Sequence, residues 1–453
     1  MNSFLIFIIV LGILIFFHEL GHFVVARLFG VGVERFSLGF GPRIFGRTIG
    51  RTDYRVSVIP LGGYVKMVGD EPDAEISPDD LPYSFTHKHV AKRTLIVAAG
   101  PLFNMLLAIL IFTAIVFTVG LPSIRPFIRG VEPDSPGDRA GLQVDDRITA
   151  IDGKHIQSWR DIDAILSDNG GAPLKVSILR DGTPLEVEVT PQQVSAKDLF
   201  GDKIQYFDLG ISGVTELRAV VDKVMEGMPA QRAGLKHGDQ IVAIDGQPIE
   251  SWQRMQEIVS DSKGKTLTFE VRRGEETIKT KIKPEVVEEK NPLGVKQSAY
   301  RIGISAPGVV IPQRDQMTIH FKPLQAAGRG VVHTWEVTKT TIYFFGKLIR
   351  GKVPMESIGG PIRIAIMAGQ EADQGLVQLL NFIALISIQL AILNILPIPV
   401  LDGGHLLFYA IEAVLRRPVS LRMRETAQQI GIFLLILLMI FVFYNDISIT
   451  WFK

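Results

Sequence analysis

The chain has 453 residues, of which 47% are hydrophobic, a formal net charge of +1 and no cysteine. That length exceeds one ordinary domain. A charge so close to zero argues against nucleic acid as a partner, and the lack of cysteine excludes disulfides, thiolate metal ligands and a cysteine nucleophile.

The apolar residues are concentrated in four blocks, at 2–29, 95–120, 376–396 and 427–444. Each is near the roughly 20 residues that cross a bilayer as a helix. The expected fold is a polytopic α-helical membrane protein with four transmembrane helices. The first block is not a removable signal peptide on this reading. Met1-Asn2-Ser3 carries no positive charge, and no small-residue cleavage site follows. Phe4 to Phe17 is free of charge, and then comes His18-Glu19-Leu20-Gly21-His22, an HExxH motif. On a helix the two imidazoles project from one face about one turn apart. That spacing suits two nitrogen ligands of a tetrahedral zinc, with Glu19 beside them as general base. Ionisable groups inside a span cost roughly 2.5–3.5 kcal/mol each on insertion scales, so they point to function. The bland alternative is a chance match or a pair of satisfied histidines.

Val31–Val68 is rich in glycine and β-formers, including Gly39-Phe40-Gly41-Pro42 and Gly62-Gly63-Tyr64-Val65. It reads as β-hairpins, either a capping sheet or an edge that pairs with an unwound substrate. Residues 70–80 form an acidic, Pro-containing loop. Lys and Arg are dense after the first span and again at Arg416, Arg417, Arg422 and Arg424. By the positive-inside rule both connections face the cytoplasm. Both termini and the long segment 121–375 then lie outside, and the HExxH lies toward the cytoplasmic end of its span.

The outer segment contains a duplication. Val131–Trp159 aligns with Val224–Trp252 at an offset of 93 residues. Arg139-Ala140-Gly141-Leu142 matches Arg232-Ala233-Gly234-Leu235, and Ile151-Asp152-Gly153 matches Ile244-Asp245-Gly246. A period of this length is a duplicated domain, not a solenoid unit. Each copy resembles a bacterial PDZ domain in its run from Ser135-Pro136 to Ile156 and from Met228-Pro229 to Ile249. The first copy departs at Asp145, where the second has Gly238. Domains of this kind bind extended peptide by strand addition; a spacer that excludes bulky molecules is the alternative.

Between the repeats and the third span, Val332, Trp335, Ile342, Phe345, Leu348 and Ile349 recur at roughly helical spacing. They suit a helix lying in the membrane interface or one packed against its neighbours. The third span ends in Asn394-Ile395-Leu396-Pro397-Ile398-Pro399-Val400-Leu401-Asp402-Gly403-Gly404-His405. Two prolines and two glycines stop regular helix there and deliver a carboxylate at the depth of His18 and His22. Asp402 is therefore read as the third ligand, which leaves the fourth tetrahedral position to water. His405 is read as structural.

An HExxH on the first span, N-x-x-P-x-P-x-L-D-G-G on the third and PDZ-like repeats between resemble the site-2 protease family of intramembrane zinc peptidases over essentially the whole chain. The resemblance implies Zn²⁺ on His18, His22 and Asp402, with Glu19 as base. It also implies that Asn394 holds the substrate backbone, although interhelical hydrogen bonding is the plainer role for such a residue. The glycines Gly39, Gly41, Gly62 and Gly63 would shape a membrane-reentrant sheet that binds substrate. The expected substrates are single-span membrane proteins: a trimmed anti-sigma factor of an envelope stress pathway, and remnant signal peptides. The expected location is the bacterial inner membrane, with the repeats periplasmic and their ligands open. The domain limits expected are 1–30 (first span), 31–94 (β region and loop), 95–120 (second span), 121–220 and 221–310 (the two PDZ repeats), 311–375 (amphipathic region), 376–402 (third span), 403–426 (connection) and 427–453 (fourth span). Two other readings remain at this point, a membrane-anchored zincin that cuts chains outside lipid and a PDZ scaffold with a vestigial metal site.

Overall fold

The computed structural model describes residues 3–70, 76–198, 200–214, 218–290, 296–308 and 311–452. Residues 71–75, the middle of the expected acidic loop, lie outside the described residues. The chain divides into two units, one built from 1–120, 320–351 and 355–453, the other from 121–319 and 352–354.

Among the described residues the first unit holds seven long helices: α1 (Ser3–Leu28), α2 (Val90–Thr118), α3 (Pro323–Ile349), α4 (Pro361–Gln374), α5 (Leu376–Ile395), α6 (Asp402–Leu415) and α7 (Leu421–Phe452). Four of them, α1, α2, α5 and the Leu421–Ser448 part of α7, are long and apolar enough to cross a membrane. They match the four apolar blocks, although α2 starts at Val90, five residues before its apolar block. Ile6, Val10 and Leu14 of α1, Leu107, Ile111 and Phe112 of α2, and Phe382, Ile383 and Ile388 of α5 form one buried cluster. The third span stops where its prolines require. Helix α5 ends at Ile395, and a fresh helix, α6, starts at Asp402.

Helix α3 covers the stretch of helically spaced apolar residues ahead of the third span. Its large apolar residues Val332, Trp335, Ile342 and Ile349 are exposed, and the buried positions are Ala326, Gly330, Thr334, Thr338 and Lys347. Small residues bring backbones together. A Cβ on Gly330 would stand 2.3 Å from Thr113 Oγ1 of α2. The helix therefore packs through its small residues and leaves its apolar stripe uncovered within this unit.

The β region is one long hairpin, β1 (Val33–Ile49) and β2 (Thr52–Met67), bent back on itself. Residues 35–38 pair with 63–66 on one side and 53–56 on the other, while 43–49 pair with 52–57. The strand segments thus run in the order 43–49, 52–57, 35–38, 63–67. The last segment has no further strand beside it among the described residues. Gly39 and Gly41, at φ of +90° and +88°, turn the chain between two of these segments. Phe40, Ile44, Phe45, Val58 and Ile59 on this sheet are exposed.

In the second unit the duplication is structural. The first repeat pairs strands in the order 154–155, 147–151, 174–180, 183–189, and the second in the order 247–248, 240–244, 267–273, 276–282. Each carries a helix, Trp159–Asn169 or Trp252–Asp261, and its own buried core. Arg180 grips the buried Asp146 in one repeat, and Arg273 grips the buried Asp239 in the other, each with an Nε to Oδ1 bond of 2.7 Å. The unit is closed at its ends, because Leu121–Ile124 pairs with Gln316–Ile319.

Candidate metal centre

Three polar groups from three places in the chain converge. His18 and His22, one turn apart on α1, stand with ring centroids 4.9 Å apart. Asp402, the first residue of α6, puts Oδ2 3.1 Å from His18 Nε2 and 3.5 Å from His22 Nε2. Neighbouring donors of a tetrahedral zinc, at about 2.0–2.2 Å from the metal, are roughly 3.3 Å apart. Asp402 Oδ2 is buried and has no hydrogen-bond partner, although both Nε2 atoms are so near. Three donor atoms converging on one point suit a cation. Among the described residues these three make the single cluster able to hold a metal ion.

The chain around Asp402 is shaped for this delivery. A Cβ on Gly403 would sit 2.1 Å from the Leu396 carbonyl oxygen, and one on Gly404 would sit 2.4 Å from that of Ile398. The Asp-Gly-Gly sequence is thus the condition for folding 396–401 tightly against the start of α6. Helix α2 backs the imidazoles. His22 Nδ1 donates to the Ile96 carbonyl at 2.9 Å, which leaves its Nε2 lone pair toward Asp402. Gly100 leaves room for both rings, since a Cβ there would stand 2.4 Å from His22 Nε2 and 2.8 Å from His18 Cε1.

Glu19 lies in the same cavity, about 240 Å³ in volume, together with Gly63, Tyr64, Val65 and His405. Its carboxylate accepts a hydrogen bond from the backbone N–H of Val65. The 63–67 strand segment therefore borders the site. Of the glycines expected to contact substrate, Gly63 lines this cavity; Gly39, Gly41 and Gly62 do not, and Gly62 abuts the Phe40 ring instead. Asn394 is half-buried in the last turn of α5 and is absent from the cavity wall. A larger cavity, about 760 Å³, lies in the second unit beside Trp159 and Asp163, but histidine is absent from its lining.

A triad able to hold a metal ion beside a half-buried glutamate, in a unit with four helices long and apolar enough to cross a bilayer, fits a membrane metalloprotease. The chain belongs to peptidase family M50, whose sequence model matches residues 6–438. Protease RseP of Yersinia pestis is 37% identical over 98% of this chain and 97% of its own length. The regulator of sigma-E protease RseP of Escherichia coli K12 is 36% identical with the same coverage. A Neisseria meningitidis serogroup A relative, whose name carries the term zinc metalloprotease, is 38% identical over 99% of both chains. A PDZ domain of the SdrC-like protein of Listeria monocytogenes shares 26% identity over 20% of this chain and 90% of its own, at a TM-score of 0.17. The chain is accordingly a zinc metalloprotease.

Proposed function

We propose that this protein is an intramembrane endopeptidase that hydrolyses peptide bonds in or near the transmembrane segment of single-span proteins. The observation that carries the reading is the position of Glu19, His18 and His22 within an apolar helix long enough to span a bilayer, beside the strand segment 63–67, the last in its sheet among the described residues. Zinc held by His18, His22 and Asp402 would polarise the scissile carbonyl and lower the pKa of water toward about 7. Glu19 takes a proton from the attacking water and hands it to the leaving amine. The edge of 63–67 holds an unwound substrate as an added strand, which brings the carbonyl to the Glu19 side of the cavity. Asn394 and the hairpin glycines assist in holding the unwound chain.

The names of the relatives support an anti-sigma factor as one substrate, and signal-peptide remnants have the same single-span form. The Lys/Arg distribution supports an inner-membrane placement, with both termini and the repeats periplasmic and the metal centre toward the cytoplasm.

The test uses purified full-length protein and a transmembrane peptide substrate. Cleavage should stop when zinc is chelated. Glu19→Gln should keep zinc but lose about 10²–10⁴-fold in turnover, the usual weight of a general base. Asp402→Ala should lose zinc as well as activity. Normal zinc occupancy and cleavage in Asp402→Ala would sink the ligand assignment, and cleavage confined to water-soluble peptides would favour a membrane-anchored zincin.

A further inference from the structure

Asn104 sits in the middle of α2 with its side chain fully buried, and nothing in the reaction described above uses it. Its Nδ2 lies 3.3 Å from His18 Nδ1, while its Oδ1 is buried without a hydrogen-bond partner. Its main-chain carbonyl accepts from Ser387 Oγ at 2.7 Å, so α2 is tied to α5 through the backbone and the side-chain amide is not needed for that contact. A buried polar atom left unpaired costs about 1–3 kcal/mol, and more is at stake where no water reaches the site.

The tautomers of the two histidines decide what the amide does. An imidazole that offers Nε2 to a metal carries its proton on Nδ1, and that proton needs an acceptor. His22 has one in the Ile96 carbonyl. His18 Nδ1 faces only Asn104 among the hydrogen bonds described. The oxygen and nitrogen of a carboxamide exchange places by a half-turn about its terminal bond. With Oδ1 toward His18, the orphaned oxygen gains a donor and His18 keeps its Nε2 lone pair toward Asp402. With Nδ2 toward His18, the imidazole proton is forced onto Nε2, against Asp402, where a metal would bind. Only the first arrangement gives the Nδ1 proton an acceptor and leaves the Nε2 lone pair free for a metal; the amide nitrogen then takes the place that the oxygen held.

We propose that Asn104 is a positioning residue of the metal centre: its side-chain oxygen accepts the Nδ1 proton of His18 and fixes the tautomer that ligates. Ile96, Gly100 and Asn104, four residues apart along one face of α2, then act together. The Ile96 carbonyl holds one ring, the Asn104 amide holds the other, and Gly100 leaves the space for both. The proposal rests on zinc ligation by His18, His22 and Asp402.

The test compares Asn104→Asp and Asn104→Leu, which have similar volume but differ in whether they offer an acceptor. Zinc affinity is measured on the full-length detergent-solubilised protein by competition with a chromophoric chelator, and the thermal midpoint is taken without metal. Asn104→Leu should bind zinc about 10–100-fold more weakly, the range expected on losing a partner of a ligating histidine. Asn104→Asp should stay within about threefold of wild type, because a carboxylate accepts the same proton. Wild-type affinity in Asn104→Leu overturns the proposal, as does an equal loss in both variants with unchanged thermal midpoints. A readout independent of either variant is the imidazole ¹⁵N spectrum of the metal-free wild-type protein, with His18 assigned by its absence in His18→Ala. Protonation of His18 at Nδ1 is expected, and protonation at Nε2 overturns the role. His18→Ala also separates the two levels of the argument. Unaltered zinc binding in that variant defeats the ligand assignment itself, whereas loss there with no effect of Asn104→Leu defeats the positioning role alone.

Discussion

At the scale of single residues, the centre is controlled as much by what is missing as by what is present. Gly100 is the sharpest case, because a methyl group there would meet both imidazoles. Gly100→Ala should therefore lower zinc affinity by about tenfold or more while the α1–α2 cluster of Ile6, Val10, Leu14 and Leu107 keeps the protein folded. Zinc titration alongside a thermal melt checks this, and full affinity in a folded Gly100→Ala protein would remove the steric argument. The three side chains that converge were legible in the sequence, since HExxH places two donors by helical spacing and Asp-Gly-Gly after two prolines marks the third. Gly100 and Asn104 were not, because they belong to an apolar span whose pattern announces only membrane. The available signal was an asparagine inside that span three residues after a Gly-Pro pair, which breaks the helix's hydrogen bonding. The repeats show a similar case. Asp145 stands where the second repeat has Gly238, and both adopt positive φ, +73° and +83°. Asp145 uses its side chain to pair with Arg129, whose other partner is the buried Asp315.

At the scale of elements, the hairpin of β1 and β2 carries the strongest consequence for catalysis. Its 63–67 segment is the last in the sheet among the described residues and offers, through Val65, a hydrogen bond to Glu19. The glycine-rich sequence announced β structure, but not the doubling back that puts residues 35–38 between two partners. Register of that kind is set by tertiary packing against α1, where Phe23, Phe36 and Tyr54 meet edge to face. Val65→Pro removes the donated N–H. Losing a hydrogen bond to a charged group costs about 1.5–3 kcal/mol, so turnover should fall roughly ten- to a hundredfold with zinc content unchanged. Unreduced turnover in that variant would mean the edge does not serve Glu19. The same edge demands an unwound substrate, because a helix hides its carbonyls in internal hydrogen bonds. Gly or Pro placed near the scissile bond should raise the cleavage rate, and the gain should be larger in an Asn394→Ala enzyme if Asn394 helps to hold the strand. A flat response to helix breakers in both enzymes would reject strand addition.

At the scale of the whole molecule, the chain is a membrane peptidase interrupted by a duplicated domain. The insertion enters at Leu121–Ile124 and leaves at Gln316–Ile319, and these two strands pair with each other, so the repeats hang on one closed neck. Two functions suit such an insert. A peptide groove would recruit a freshly exposed substrate end by strand addition, whereas a rigid obstruction would admit only substrates with short external tails. Duplication favours obstruction, since recruitment needs one groove and two linked copies with separate cores make a larger body. The structure sets how to test this. A cut inside the second repeat would strand its last segment, because Ile304–Ser305 pairs back to Lys223–Val224. Removing residues 126–315 instead leaves the neck strands paired and takes Arg129 and Asp315 away together. If the repeats obstruct, this deletion should release cleavage of full-length, untrimmed substrates and leave trimmed ones cut at about the wild-type rate. If they recruit, trimmed substrates should be cut more slowly and untrimmed ones should stay intact. The two rates, measured in one deletion protein whose zinc content matches wild type, have opposite signs under the two readings. Untrimmed substrate remaining uncut while trimmed substrate slows would reject the obstruction.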